Sequence, residues 1–190
     1  MRIITGTLKG RKIPVPPNVR LRPTSDRTKE GIFSVIDARK SFFETHVLDL
    51  FAGTGSLGFE ALSRGASRVT FVESSHKALS GIENTARLFG VEEKVSIVGL
   101  HVEKFLERRE ASFDFIFADP PYEIAFLRAL PDLILSGAWL NRDGWFILEH
   151  DKRHSFIDHP HCFFSRSYGR TIVSIFSIPS ERPVNTGHPQ

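Results

Sequence analysis

The chain has 190 residues, 41% of them hydrophobic, a formal net charge of +3 and one cysteine. That length supports one sizeable core and is too short for two full domains; no apolar stretch approaches a membrane span, and Met1-Arg-Ile-Ile-Thr5 lacks the apolar segment of a secretory signal. Lone Cys162 excludes an internal disulfide, and His159 and His161 beside it lack a fourth ligand, so a cytoplasmic monomer without membrane or metal partners is expected.

In chain order, residues 1–40 form a basic extension. Residues 1–30 hold eight basic groups against Asp26 and Glu30, a net of +6, which leaves −3 for the other 160 residues. The positive field therefore belongs to this segment, and such a field suits a phosphate backbone. Arg2-Ile-Ile-Thr and Lys9-Gly-Arg-Lys-Ile-Pro-Val read as two short strands around a turn at Gly6, a basic β-hairpin. A proline-rich stretch leads to a helix cap at Thr24-Ser25-Asp26, then to an amphipathic helix with Ile32, Phe33 and Ile36 inward. Arg11, Lys12, Arg22, Arg27 and Lys29 are the expected nucleic-acid contacts.

From residue 41 the pattern alternates between strand and helix, as a parallel sheet requires. Strands are predicted over 46–51, 68–73, 94–98, 113–118 and 144–149, with helices near 56–64, 75–89, 101–110 and 124–136. Residues 162–168 and 171–178, joined through Gly169-Arg170, read as a closing antiparallel hairpin, and 179–190 as a disordered tail. The core is thus 41–178.

Two loops carry the chemistry. Asp49-Leu-Phe-Ala-Gly-Thr-Gly-Ser-Leu-Gly58 joins a strand to a helix, and Gly53, Gly55 and Gly58 permit a tight turn, close ligand approach and close helix packing. Glu73 ends the next strand about 20 residues on, where a carboxylate accepts ribose hydroxyls. The second loop, Asp119-Pro-Pro-Tyr122, also follows a buried-strand pattern. Two prolines remove two backbone donors, leaving the Pro120 carbonyl and the Asp119 carboxylate to accept hydrogen bonds from an amine. Tyr122 can stack on a base, an interaction worth roughly 1–3 kcal/mol at nucleic-acid sites. Together the loops read as an S-adenosylmethionine site beside an amine-methylating site. Hydride transfer to a nicotinamide has no use for the second loop.

With these motifs in hand, the chain resembles the bacterial 16S ribosomal RNA guanine 2-amino methyltransferase family from Arg2 to about Ile178. The resemblance rests on Arg2-Ile-Ile-Thr-Gly6, Lys9-Gly-Arg-Lys-Ile-Pro-Val-Pro16, Leu21-Arg-Pro-Thr-Ser-Asp-Arg27, Asp49 to Gly65, Asp119 to Tyr122, and Tyr168-Gly169. It implies a Rossmann-like class I methyltransferase fold, α/β, with a mostly parallel seven-stranded sheet and a terminal antiparallel hairpin. It implies S-adenosylmethionine as donor and a guanine of 16S ribosomal RNA as acceptor, in a small subunit or assembly intermediate. By the same resemblance Asp49, Gly53 and Gly55 hold the methionine end, Gly58 supports the turn, Glu73 holds the ribose, and Asp119, Pro120 and Tyr122 hold the target base. Relatives often carry Asp or Asn after the third strand, where this chain has His101, so adenine recognition falls to His101 or the Val102 amide. The alternatives are an adenine amino methyltransferase on DNA or RNA, a small-molecule amine methyltransferase, a non-catalytic RNA-binding assembly factor and, as the remaining Rossmann reading, an NAD-dependent oxidoreductase.

Overall fold

Seven strands form one sheet in the order β3-β2-β1-β4-β5-β7-β6 in a computed structural model that describes residues 1–15, 26–108 and 111–178. The strands are β1 His46–Leu50, β2 Arg68–Glu73, β3 Val95–Gly99, β4 Phe113–Ala118, β5 Leu140–Asp151, β6 Cys162–Tyr168 and β7 Thr171–Phe176. The first five pair in parallel, whereas β7 runs antiparallel between β5 and β6. This is the mostly parallel sheet with a terminal antiparallel hairpin expected from the sequence. Strand order reverses between β1 and β4, and Leu50 lies in register with Ala118, so the loops opening at Phe51 and Asp119 leave the sheet side by side. Open α/β sheets bind ligands at such a switch point.

Alternation along the strands builds two cores. Val47, Val69, Phe71, Phe115 and Phe117 enter the first, beneath α1 (Asp26–Asp37), α2 (Ser56–Ser63) and α3 (His76–Phe89). Leu48, Leu50, Val72, Ile116 and Leu148 enter the second, beneath α4 (Val102–Leu106) and α5 (Leu130–Ser136). Helix α1 buries Ile32, Phe33 and Ile36, as its periodicity predicts. Helix α3 is capped by Ser75, whose Oγ accepts from the Ala78 N–H, and ends on left-handed Gly90.

Three elements differ from the sequence expectation by more than two residues at an end. The helix expected over 124–136 is a 3-10 turn at Leu127–Ala129 followed by α5, because Pro131 sits in the first turn of α5 and cannot lie inside a longer helix. Helix α4 covers only Val102–Leu106 of the expected 101–110; exposed Glu107 and Arg108 offer no further apolar side chain to dock. Strand β5 runs past the expected 144–149 at both ends, with a register irregularity opposite Phe113–Phe115.

The N-terminal hairpin is minimal: one bridge pairs Arg2 with Lys12, supported by Ile3 N–H to Arg11 O and Gly10 N–H to Ile3 O, both 2.9 Å. It is fastened to α2 rather than free. The buried Glu60 carboxylate accepts from the Ile4 and Thr5 N–H groups at 2.8 and 3.0 Å, and Ser63 Oγ accepts from Leu8 N–H at 2.9 Å. Gly6, at φ 89°, lies so close to α2 that a Cβ there would stand 1.8 Å from the Ser63 carbonyl oxygen.

The same cluster corrects one expected RNA contact. Lys29 is fully buried; its ammonium donates to Arg2 O at 2.6 Å and Ser56 Oγ at 3.2 Å and lies 3.5 Å from Glu60 Oε2. It shares the inward face of α1 with Ile32, Phe33 and Ile36, so it braces the hairpin and cannot reach a phosphate. Arg22 and the expected tail 179–190 lie outside the described residues.

Candidate active site

Asp49 leaves β1 on the same face as Val47, pointing beneath the start of α2. It is buried, and its Oδ2 accepts from the Gly58 N–H at 2.9 Å. Burial pushes its carboxyl well above the ordinary range; the Gly58 bond opposes that rise, while the Asp119 and Glu73 charges add to it. Gly55, at φ 74°, holds the left-handed turn that starts α2. A Cβ on Gly58 would meet the Phe71 ring at 2.3 Å, so glycine there lets the helix lie directly on β2.

Glu73 at the end of β2 is held by three backbone donors: Gly53 N–H at 2.9 Å on Oε2, and Ser74 and Ser75 N–H, both at 2.8 Å, on Oε1. The glycine turn and the acidic strand end are therefore locked together, and the carboxylate is oriented before any ligand arrives. Beyond β4, Pro120 is buried and the Tyr122 hydroxyl stands 3.1 Å from Thr171 Oγ1 at the start of β7. Nothing in the sequence pattern marks Thr171, because only the sheet topology brings it to this loop.

These residues share a cleft of about 350 Å³ lined by Asp49, Gly53, Ser56, Glu73, Asp119 and Tyr122, among others. Ser56 and Leu57 line it at the first turn of α2, where backbone N–H groups have no helical acceptor. A second cavity of about 260 Å³ adjoins it, lined by Phe51, Glu73, His101, Val102, Ile124 and Phe126, among others. Phe51, Glu73, Ser74 and Pro121 line both. Glu73 therefore sits at the junction of a carboxylate-bearing chamber and an apolar slot. This donor set suits S-adenosylmethionine: acids for its two cationic groups, helix-end amides for its carboxylate, Glu73 for the ribose, and an apolar slot for the adenine.

Exposed His101 immediately precedes α4, and both it and Val102 border that slot. The slot's aromatic walls, Phe51 and Phe126 with ring centroids 6.4 Å apart, were missed in the sequence because they come from different loops. Among the other expected contacts, Lys12 and Arg27 are exposed. Arg11 donates to the Phe89 carbonyl at 3.1 Å and covers the Phe89 ring at 4.7 Å, tying the hairpin to the end of α3. Among the described residues there is no group of three or more side chains suited to a metal ion, and no helix is long and apolar enough to cross a membrane.

Comparison with known proteins agrees with this architecture. A Bacillus subtilis chain named as a candidate rRNA methyltransferase is 37% identical over 155 residues, 80% of this chain and 83% of its own. The Haemophilus influenzae Ribosomal RNA small subunit methyltransferase D is 35% identical over 155 residues, 80% of this chain and 79% of its own. Among solved structures, yhhF of Escherichia coli, titled as a candidate methyltransferase, superposes with a TM-score of 0.83 at 26% identity, covering 94% of this chain and 98% of its own. The family model described as Conserved hypothetical protein 95 matches residues 1–177, and the chain belongs to that family of class I S-adenosylmethionine-dependent methyltransferases.

Proposed function

We propose that this protein transfers the methyl group of S-adenosylmethionine to the 2-amino group of a guanine in 16S ribosomal RNA, presented by a small subunit or an assembly intermediate. The observation that carries the reading is the meeting of Asp119-Pro120-Pro121-Tyr122 with Asp49 and Glu73 around one cleft at the switch point. Ribosomal RNA as substrate draws on the relatives' names and on the basic N-terminal segment.

S-adenosylmethionine supplies an electrophilic methyl group on a sulfonium. An aromatic amine is a weak nucleophile because its lone pair is delocalised into the ring. Asp119 and the Pro120 carbonyl accept hydrogen bonds from its N–H groups and aim that lone pair, while Tyr122, tethered through Thr171, stacks on the base. Bound S-adenosylmethionine would supply the methyl group to that lone pair, and Asp119 or solvent would take the amine's surplus proton. Positioning is the main catalytic contribution. Asp49, Gly53 and Gly55 hold the methionine end, with Gly58 shaping the turn; Glu73 holds the ribose, and His101 or the Val102 amide meets the adenine. Lys12 and Arg27 serve as RNA contacts, with Arg11 also binding the hairpin to α3.

The deciding experiment is methyl transfer from labelled S-adenosylmethionine to protein-depleted 16S RNA, to small subunits from a strain lacking the activity, and to duplex DNA, followed by nucleoside analysis. Label in 2-methylguanosine is expected; label in methyladenine would replace guanine by adenine as the target. Cofactor binding without label in any nucleoside would remove the reading.

Asp49 gives a pH-dependent expectation. Its folded carboxyl holds a proton at pH values where the unfolded one has lost it, so its contribution to stability falls as pH rises from the unfolded pKa through the raised folded one. A cationic ligand favours the ionised form, so S-adenosylmethionine affinity should fall as pH drops through the raised value. Asp49→Asn should weaken binding by about 10- to 100-fold, as for a lost charged hydrogen bond, while the ligand-free melting temperature is kept or raised. Calorimetric titration and thermal melting across pH check both; undiminished affinity would remove Asp49 from the cofactor site.

A further inference from the structure

A second groove, of about 610 Å³, lies between the outward face of α1 and strand β6. Arg27, Glu30, Gly31 and Ser34 recur at three- and four-residue spacing and form its helical wall, continued by Ala38 just past α1; Phe164, Arg166 and Tyr168 form the wall from β6. The first side of α1 holds the hairpin and core, so the groove uses the face the fold leaves outward.

Three observations define what it fits. Arg27, Arg39 and Arg166 all line it and are exposed, and none makes an ion pair among the described residues although Glu30 lies on the same wall. Two of these guanidiniums lie over aromatic rings, Arg39 over Phe164 at 5.8 Å and Arg166 over Tyr168 at 5.6 Å, contacts that hold a guanidinium in place without consuming its N–H donors. The floor is built to close tolerance: a Cβ on Gly31 would stand 2.2 Å from the Tyr168 ring, so the tyrosine packs against helix backbone.

The groove also connects to the amine loop. Tyr168 pairs with Thr171 across the β6–β7 turn, and Thr171 Oγ1 stands 3.1 Å from the Tyr122 hydroxyl. A polymer whose base stacks on Tyr122 therefore has a cationic trough beginning one strand pair away.

We infer that the α1–β6 groove carries the sugar-phosphate backbone of the RNA strand flanking the target base, with Arg27, Arg39 and Arg166 on its phosphates. This rests on the RNA reading of the active site. Fork-shaped donors match phosphate geometry, and phosphate contacts of this kind position a strand without reading its sequence.

The test is the variant Arg39→Ala/Arg166→Ala, with Arg68→Ala, exposed at the opposite end of the sheet, as control. Methyl-transfer kinetics on the RNA substrate, RNA binding across salt, and S-adenosylmethionine titration are measured on the full chain. Expected for the double variant are a KM for RNA raised about 10-fold or more, a salt slope shallower by about 1.4–2 for two lost phosphate contacts, and unchanged cofactor affinity. Arg68→Ala should match the wild type in all three. An unchanged KM and slope in the double variant, with the wild type methylating RNA, overturns the groove; so does weaker binding with an unchanged slope. No transfer by the wild type to any RNA fails the active-site reading instead, and the groove falls with it.

Discussion

Asp119→Ala should lower kcat for methyl transfer by about 10²–10³-fold, the range seen when one oriented polar partner of a reacting group is removed. The carboxylate follows β4 and lines the cleft, where the proposed transfer requires the amine to be held with its lone pair toward the methyl group. Cofactor affinity should stay near the wild-type value, since the Asp119 charge opposes ionisation of Asp49 and its removal eases the form that binds a cation. Asp119→Asn keeps one acceptor oxygen and should retain more activity than alanine. Single-turnover transfer with saturating cofactor, alongside cofactor titration, separates the two effects. Near-normal turnover in the alanine variant would mean that the amine is held elsewhere.

The second large effect is on stability. Glu60→Ala should destabilise the protein by about 3–5 kcal/mol, because it removes one partner of a buried ion pair and leaves a buried ammonium behind. Glu60 is fully buried; besides Lys29 at 3.5 Å and two hairpin N–H groups, it meets Arg64 Nη2 at 2.9 Å. For a chain of this size each kcal/mol moves the melting temperature by about 2–4 °C, so a fall of roughly 6–20 °C is expected. Glu60→Gln, which keeps the volume and one acceptor, should lose less. A loss below about 1 kcal/mol in the alanine variant would show that the hairpin is held by its apolar anchors Ile3, Leu8 and Ile13 alone.

The sheet and the two loops were legible because each strand carries a dense apolar run and each loop follows one directly. Glycine spacing located the turn above Asp49, and the apolar run 113–118 located Asp119 at a strand end. What escaped the sequence depends on contacts between distant segments. Charge alone assigns Lys29 to RNA, yet it falls in the 29, 32, 33, 36 series that buries the inward face of α1, and periodicity outweighs charge. Pro131 divides a helix that apolar spacing alone would continue. Phe126 and Thr171 belong to the site only because β7 enters the sheet beside β5 and the 124–127 segment folds back toward Phe51. Arg39 and Arg166 are separated by most of the chain and meet across one groove.

The position of β7 has a consequence for how the molecule tolerates shortening. Here the rim belongs to β6, made earlier, and β7 fills the gap between it and β5. Cutting the chain before Thr171 would therefore remove an inner member of the sheet, strand β6 without its sole neighbour, and take away the hydroxyl that steadies Tyr122. A nascent chain reaches working order only once that inner strand has been threaded into place.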